Sequence, residues 1–270
     1  MSDPVAELIA SGGARKEELP KDELGTFPWP DTFPPGKIGL IAAEQSRYTA
    51  FTTSLATTMT VLPPNCGIQI TGGVDICGNA NIICRSLKDH EKWVWILGDD
   101  HVWPRGTLPR LLQHMVDGAD IVVPHCLKRI PPWPAVVYSH QDEDGWYVSA
   151  DLPEKGLTEI HAAGSAGMLI KREVLDAIGD PWFRPAPDAE GLNEDLYFCQ
   201  RAREAGFRIW CDPAIPFGHI AHHWIVPTWG DKGWDVHLVH DQDNAIRQPG
   251  IHRLTREYER RAALEKEKVA

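Results

Sequence analysis

No C-x-x-C pair occurs among the six cysteines of this chain. That excludes a zinc ribbon or a dense disulfide framework as the organising device, and reduced, mostly buried thiols are the expected state. No apolar run approaches the ~18 residues that a bilayer-spanning helix requires. The first residues are acidic and polar rather than signal-like, so the cytoplasm is the expected compartment and no membrane partner is expected. No internal repeat is present. A basic field is also missing: 27 Lys and Arg stand against 38 Asp and Glu, for a formal net charge of −11. Affinity for duplex nucleic acid is dominated by neutralised phosphates, so this balance does not favour DNA as a partner.

What is present is an ordinary core-forming composition, 43% hydrophobic, with 22 prolines, 23 glycines and 11 tryptophans. Proline and glycine accompanied by so much tryptophan read as long ordered loops. Residues 1–36 form a polar, proline-rich arm in which Phe27, Trp29 and Phe33 have a surface to pack on. From there the apolar pattern alternates. Strands are expected at 38–43, 66–71, 93–97 and 120–124. Helices are expected at 46–59, 76–87 and 107–116. Strands separated by helices at this spacing predict an α/β fold with a mostly parallel, doubly wound, Rossmann-like central sheet. Further strands are expected near 135–139, 146–149 and 207–211, and helices near 171–178 and 196–205, the latter stopped by Gly206. Residues 224–250, rich in His, Trp, Gly and Asp, show little periodicity and read as a lid or an oligomer contact. Residues 252–268 read as a charged helix. The chain thus divides into an arm (1–36), a main α/β domain (37–223) and a lid with terminal helix (224–270).

Three motifs carry chemistry. The run Trp93–Leu97 stops at Gly98-Asp99-Asp100-His101. Ligands of open α/β sheets bind beyond the carboxyl ends of strands, and two acids with an imidazole there suit Mg²⁺ or Mn²⁺. A turn would use the same Gly and Asp for its geometry. The second motif is Gly218-His219, followed by His222 and His223; it reads as a ligand site or as a histidine cluster. The third is Asn193-Glu194-Asp195 opening a helix. Its acids serve as caps or as a general base aimed at a hydroxyl.

In this order the motifs resemble GT-A glycosyltransferases, in particular small phage and bacterial members, over roughly Lys37 to His223. The family's D-x-D motif closes a strand and holds the metal on the donor diphosphate. Here it reads Gly98-Asp99-Asp100, with glycine in place of the first acid. The resemblance implies Mn²⁺ or Mg²⁺ on Asp100 and His219 and a nucleoside-diphosphate sugar as donor. Donor contacts fall to Ala43, Glu44, Arg47, Asp75, Asn81 (with Asn79 as its alternative), Asp99 and His222. Asp195 is the implied base, with Glu194 as its substitute, and Gly164 and Ser165 line the acceptor side. The implied activity is that of a hexosyltransferase-like enzyme acting on a protein, a small molecule or a modified DNA base; the 224–250 segment, read as an oligomer contact, adds a homo-oligomer. Two rival readings stay open: a metal-dependent hydrolase or phosphoesterase, and a non-catalytic nucleotide-sugar-binding protein, which the loss of the first acid to Gly98 keeps in view.

Overall fold

The computed structural model describes residues 33–42, 49–129, 133–143, 145–186, 193–220, 223–230, 233–240 and 245–248. The arm up to residue 32, the donor candidates Ala43, Glu44, Arg47 and His222, and the expected helix at 252–268 lie outside these residues. Strand β1 (Lys37–Ile41) runs parallel to β2 (Gly67–Thr71) on one side and to β3 (Trp93–Gly98) on the other. Beyond β3 come β10 (Met168–Lys171), β5 (Ile121–Cys126) and β11 (Ile209–Ile220). β10 is antiparallel to both of its neighbours, and β11 is parallel to β5. The expected parallel sheet is therefore present, with one antiparallel strand inserted at its centre.

β3 shows why the sequence folds this way. Val94 and Ile96 enter a core with Ile83, Ile121, Val123 and Phe198, whereas Trp93, Trp95 and Leu97 enter another with Ile38, Phe51, Leu108 and Leu111. Both faces of the strand are covered, so its sequence is continuously apolar rather than alternating. Helices α1 (Thr49–Met59) and α3 (Thr107–Val116) contribute to the second core; α2 (Ile76–Arg85), α4 (Arg172–Ile178) and α5 (Glu194–Glu204) contribute to the first. α2 sits tightly on β1: a Cβ at Gly39 would lie 2.2 Å from Ile83 Cγ2.

Two expectations change. The strand expected to stop at Cys211 continues to Ile220, interrupted by a register shift between Asp212 and Pro216. Pro213 and Pro216 have no N–H to give a ladder, so the chain bulges and then resumes pairing. The segment expected as an irregular lid instead forms β12 (His223–Gly230), β13 (Gly233–His240) and β14 (Ala245–Gln248), an antiparallel meander continuing the sheet from β11. Trp234 secures it: the indole is buried, donates to the Leu152 carbonyl and packs edge-on to His125 at 4.2 Å.

The bulge is fixed by a buried charge. Asp212 is fully buried; it accepts from Arg110 Nε, contacts His114 Nε2 at 2.7 Å and accepts from the Ala214 N–H at 3.1 Å. Asp212→Ala leaves the Arg110 guanidinium without its counter-charge and His114 without its partner, and breaking such a pair by removing the buried member costs about 3 kcal/mol. Urea denaturation at pH 7 checks this; an unchanged midpoint would contradict it.

Candidate functional site

The carboxyl end of β3 turns directly into β4 (His101–Val102), which pairs antiparallel with β11 so that His101 lies opposite His219. Asp100 and His219, 119 positions apart, come into contact there: Asp100 Oδ2 lies 3.3 Å from His219 Nε2. The backbone ties the same two segments, since the Ile220 N–H donates to the Asp100 carbonyl at 2.7 Å. His219 Nδ1 lies 2.9 Å from the Leu127 carbonyl. A proton on Nδ1 serves that bond and turns Nε2 toward Asp100, as ligating histidines are commonly held.

Asp100 is surrounded by cationic groups. Its Oδ1 lies 2.9 Å from His101 Nδ1, and its Oδ2 lies 3.0 Å from an Arg129 guanidinium nitrogen. Burial alone would raise the Asp100 carboxyl; His101 and His219 more than offset it and hold it far below the usual carboxylate range. Burial opposes protonation of both imidazoles, yet Asp100 pushes them up. Cys126, the last residue of β5, is fully buried; burial raises its thiol, but His101 and His219 bring it down to about 7.

The donor set fits a divalent cation. His101, Cys126 and His219 offer ligand atoms that all lie within 4.8 Å of one another. Nδ1 of His101 faces the Asp100 carboxylate, but its Nε2 is buried without a hydrogen bond, an arrangement that costs free energy unless something occupies the position. Gly98, standing where the first D-x-D acid was expected, has a steric reason. A Cβ there would lie 2.8 Å from Asp100 Oδ1 and 3.0 Å from His101 Nδ1, crowding both groups. Asp99, expected on the donor, is 2% exposed.

The other acids sit at the start of α5. Asn193 occupies the N-cap position without a side-chain cap bond; Asp195 Oδ1 instead accepts from the Leu196 N–H at 2.8 Å. Burial, then the neighbouring Glu194, raise the Asp195 carboxyl to about 6, while the backbone amides of Leu196 and Ser165 pull the other way. Gly164 packs beside it, a Cβ there falling 3.4 Å from Asp195 Oδ2. The expected acceptor-side pair Gly164 and Ser165 thus borders Asp195. The two halves of the site are joined through Val136, whose N–H donates to the Cys126 carbonyl and whose carbonyl accepts from Gly164.

Of the described donor candidates, Asp75 caps α2 by accepting from the Gly78 N–H at 2.6 Å. It lies on the Glu194–Asp195 side, since the charges of Glu194, Asp75 and Asp195 all bear on the Cys77 thiol. Asn81 requires correction. It is buried, its Nδ2 donates to the Phe183 carbonyl, and its Oδ1 accepts from the Trp182 and Phe183 amides. That amide holds the 182–183 loop and is not turned to a nucleotide. Sequence reading gave no role to Cys126 or Arg129 and counted His101 only as the imidazole beside the two acids; a cysteine closing a buried strand was the available signal.

The glycosyltransferase-like family 2 model matches residues 77–215, just over half of the 270 positions. No curated protein matches the chain in sequence. Among solved structures, A197 from STIV is 15% identical, covers 80% of this chain and 100% of its own, and superposes with a TM-score of 0.52. GalNAc-T7, crystallised with UDP, GalNAc and Mn²⁺, is 10% identical over 72% of this chain with a TM-score of 0.50. The alignment spans only 45% of the GalNAc-T7 chain. At such identities the likeness concerns the fold, which is GT-A.

Proposed function

This chain belongs to the glycosyltransferase-like family 2, and from that premise we propose that it is a metal-dependent glycosyltransferase that moves a hexose from a nucleoside-diphosphate sugar to a protein or small-molecule acceptor. One observation carries the metal-dependent reading. The Asp100 carboxylate and the His219 imidazole converge at 3.3 Å beyond the carboxyl end of β3, beside a His101 whose Nδ1 faces the same carboxylate and whose Nε2 is buried without a hydrogen bond.

Asp100, His219 and His101 would hold Mn²⁺ or Mg²⁺. The cation would supply Lewis acidity to a departing diphosphate. The remaining work belongs to the chain. Arg129, half exposed and paired with Asp100, adds a positive charge where the leaving group becomes negative. Asp75 and Asp99 are the described candidates for the donor side. Asp195 accepts the proton of the acceptor hydroxyl as that oxygen bonds to the anomeric carbon and the carbon–diphosphate bond breaks. A carboxyl raised to about 6 is ionised at neutral pH and basic enough for that role. Glu194, one residue before it, is the alternative base. Gly164 and Ser165 border Asp195 closely enough to line the acceptor cleft. Residues 37–223 form the catalytic unit in this reading, extended by the β12–β14 meander, and the net charge of −11 favours acceptors other than DNA.

The test is turnover. UDP-, GDP- and TDP-linked sugars are incubated with the protein and Mn²⁺ or Mg²⁺, and release of nucleoside diphosphate is followed. Release from one donor class that disappears with chelator is expected. Metal-independent release would overturn the metal dependence, and hydrolysis of simple phosphate esters instead would replace this reading with that of a metal-dependent hydrolase.

A further inference from the structure

Three neighbouring strands end on one cluster. β4 supplies His101, β5 supplies Cys126 and β11 supplies His219. The registers align them, with His219 opposite His101 and Phe217 opposite Cys126. Residues 217 and 219 of β11 are two apart and so point to the same face. The two imidazoles stack with centroids 4.5 Å apart, and the ligand atoms of all three side chains lie within 4.8 Å of one another. Metal–nitrogen bonds of about 2.0–2.1 Å and a metal–sulfur bond of about 2.3 Å place tetrahedral ligand atoms roughly 3.4–3.7 Å apart. The cluster therefore needs to contract by about 1 Å, within reach of small side-chain rotations.

The thiol is the informative member. Cys126 is fully buried; its thiol donates weakly to the Leu127 carbonyl at 3.7 Å and otherwise faces the His101 and His219 imidazoles. Buried Cys199, by contrast, is engaged with both the N–H and the carbonyl of Ala163. His101 is 6% exposed; its Nδ1 faces the Asp100 carboxylate and its Nε2 is buried without a hydrogen bond. Two imidazoles and a thiolate form a borderline-to-soft set suited to Zn²⁺. Mn²⁺ and Mg²⁺ prefer carboxylate, carbonyl and water oxygens.

We propose that Cys126 is a metal ligand and that His101, Cys126 and His219 form an N₂S centre that prefers Zn²⁺ to Mn²⁺, with the Asp100 carboxylate beside its open position. Three protein ligands and one open position is the arrangement of catalytic zinc sites. The proposal rests on the metal-dependent reading above and changes the identity of the ion and the number of protein ligands.

Co²⁺ serves as the probe. The full chain is stripped with chelator and titrated with Co²⁺ while its absorption spectrum is recorded. A near-ultraviolet thiolate-to-cobalt charge-transfer band with intense four-coordinate visible bands is expected, displaced by Zn²⁺ at more than tenfold lower concentration than by Mn²⁺. Cys126→Ser should abolish the charge-transfer band and weaken Zn²⁺ binding at least tenfold. The wild-type spectrum decides the matter even where that variant does not fold. Weak six-coordinate bands without charge transfer would overturn the thiolate ligand and leave the metal-dependent reading standing. Failure of Co²⁺, Zn²⁺ and Mn²⁺ all to bind would overturn both.

Discussion

Asp100→Asn should lower donor turnover by about 10²–10³-fold, the scale on which a preorganised electrostatic group acts on a departing anion, while the protein remains folded. Both carboxylate oxygens are engaged: Oδ1 lies beside His101, and Oδ2 beside His219 and Arg129. An amide keeps the shape but removes the charge and turns an N–H₂ group toward one set of these cations. Because its neighbours hold the Asp100 carboxyl below the usual range, the ionised group stabilises the folded protein above the unfolded pKa of about 4, and this contribution is lost as pH falls below that. The variant should accordingly lose some thermal stability at pH 7 and show a weaker acid dependence than the wild type. Steady-state turnover at saturating metal, with thermal unfolding at pH 7 and pH 3.5, checks both parts. Full activity would remove Asp100 from the metal.

The second large effect belongs to Asp195. As a general base it contributes about 10²–10⁴-fold, so Asp195→Asn should reduce transfer by that order while leaving donor affinity unchanged. The wild-type rate should rise with pH through about 6 and then level, because the base works only when ionised. Stability should move the other way. Burial and Glu194 raise this carboxyl, so its charge destabilises the folded state above that pKa, an effect absent below the unfolded value of about 4. The asparagine variant should therefore be more stable than the wild type at pH 7.5, by up to about 3 kcal/mol, and no more stable at pH 4. Paired chemical denaturation at the two pH values, beside a transfer assay, separates these claims. A variant that lost donor affinity and kept its transfer rate would make Asp195 a binding residue.

Much of the fold was legible because its signals are local. The apolar run of β3, covered on both faces, and the stop of α5 before Gly206 can be read from neighbouring residues alone. The pairing that builds the site was less accessible. His101 meets His219 only because β4 folds back onto β11, and nothing within either segment specifies that partner. Cys126 was passed over for the same reason: its significance comes from two histidines on other strands. The β12–β14 meander was hidden differently. Trp234, Val236 and Leu238 alternate with Asp235 and His237, a strand pattern, but the abundance of His, Trp and Gly directed attention to chemistry instead of pairing. Asn81 misled by its type. Asparagine after a strand suits a nucleotide, but only the three-dimensional arrangement reveals that its amide is spent on the 182–183 backbone.

The central claim is that a divalent cation at Asp100 and its histidine neighbours completes a nucleotide-sugar site. Titration calorimetry of UDP-, GDP- and TDP-linked sugars, each with and without Mn²⁺ or Zn²⁺, tests it most directly. The account predicts that one nucleotide class binds with metal and not after chelation, and that Asp100→Asn removes the metal-dependent part. Absence of binding by every donor at saturating metal would contradict it, leaving a GT-A fold without the donor site proposed for it.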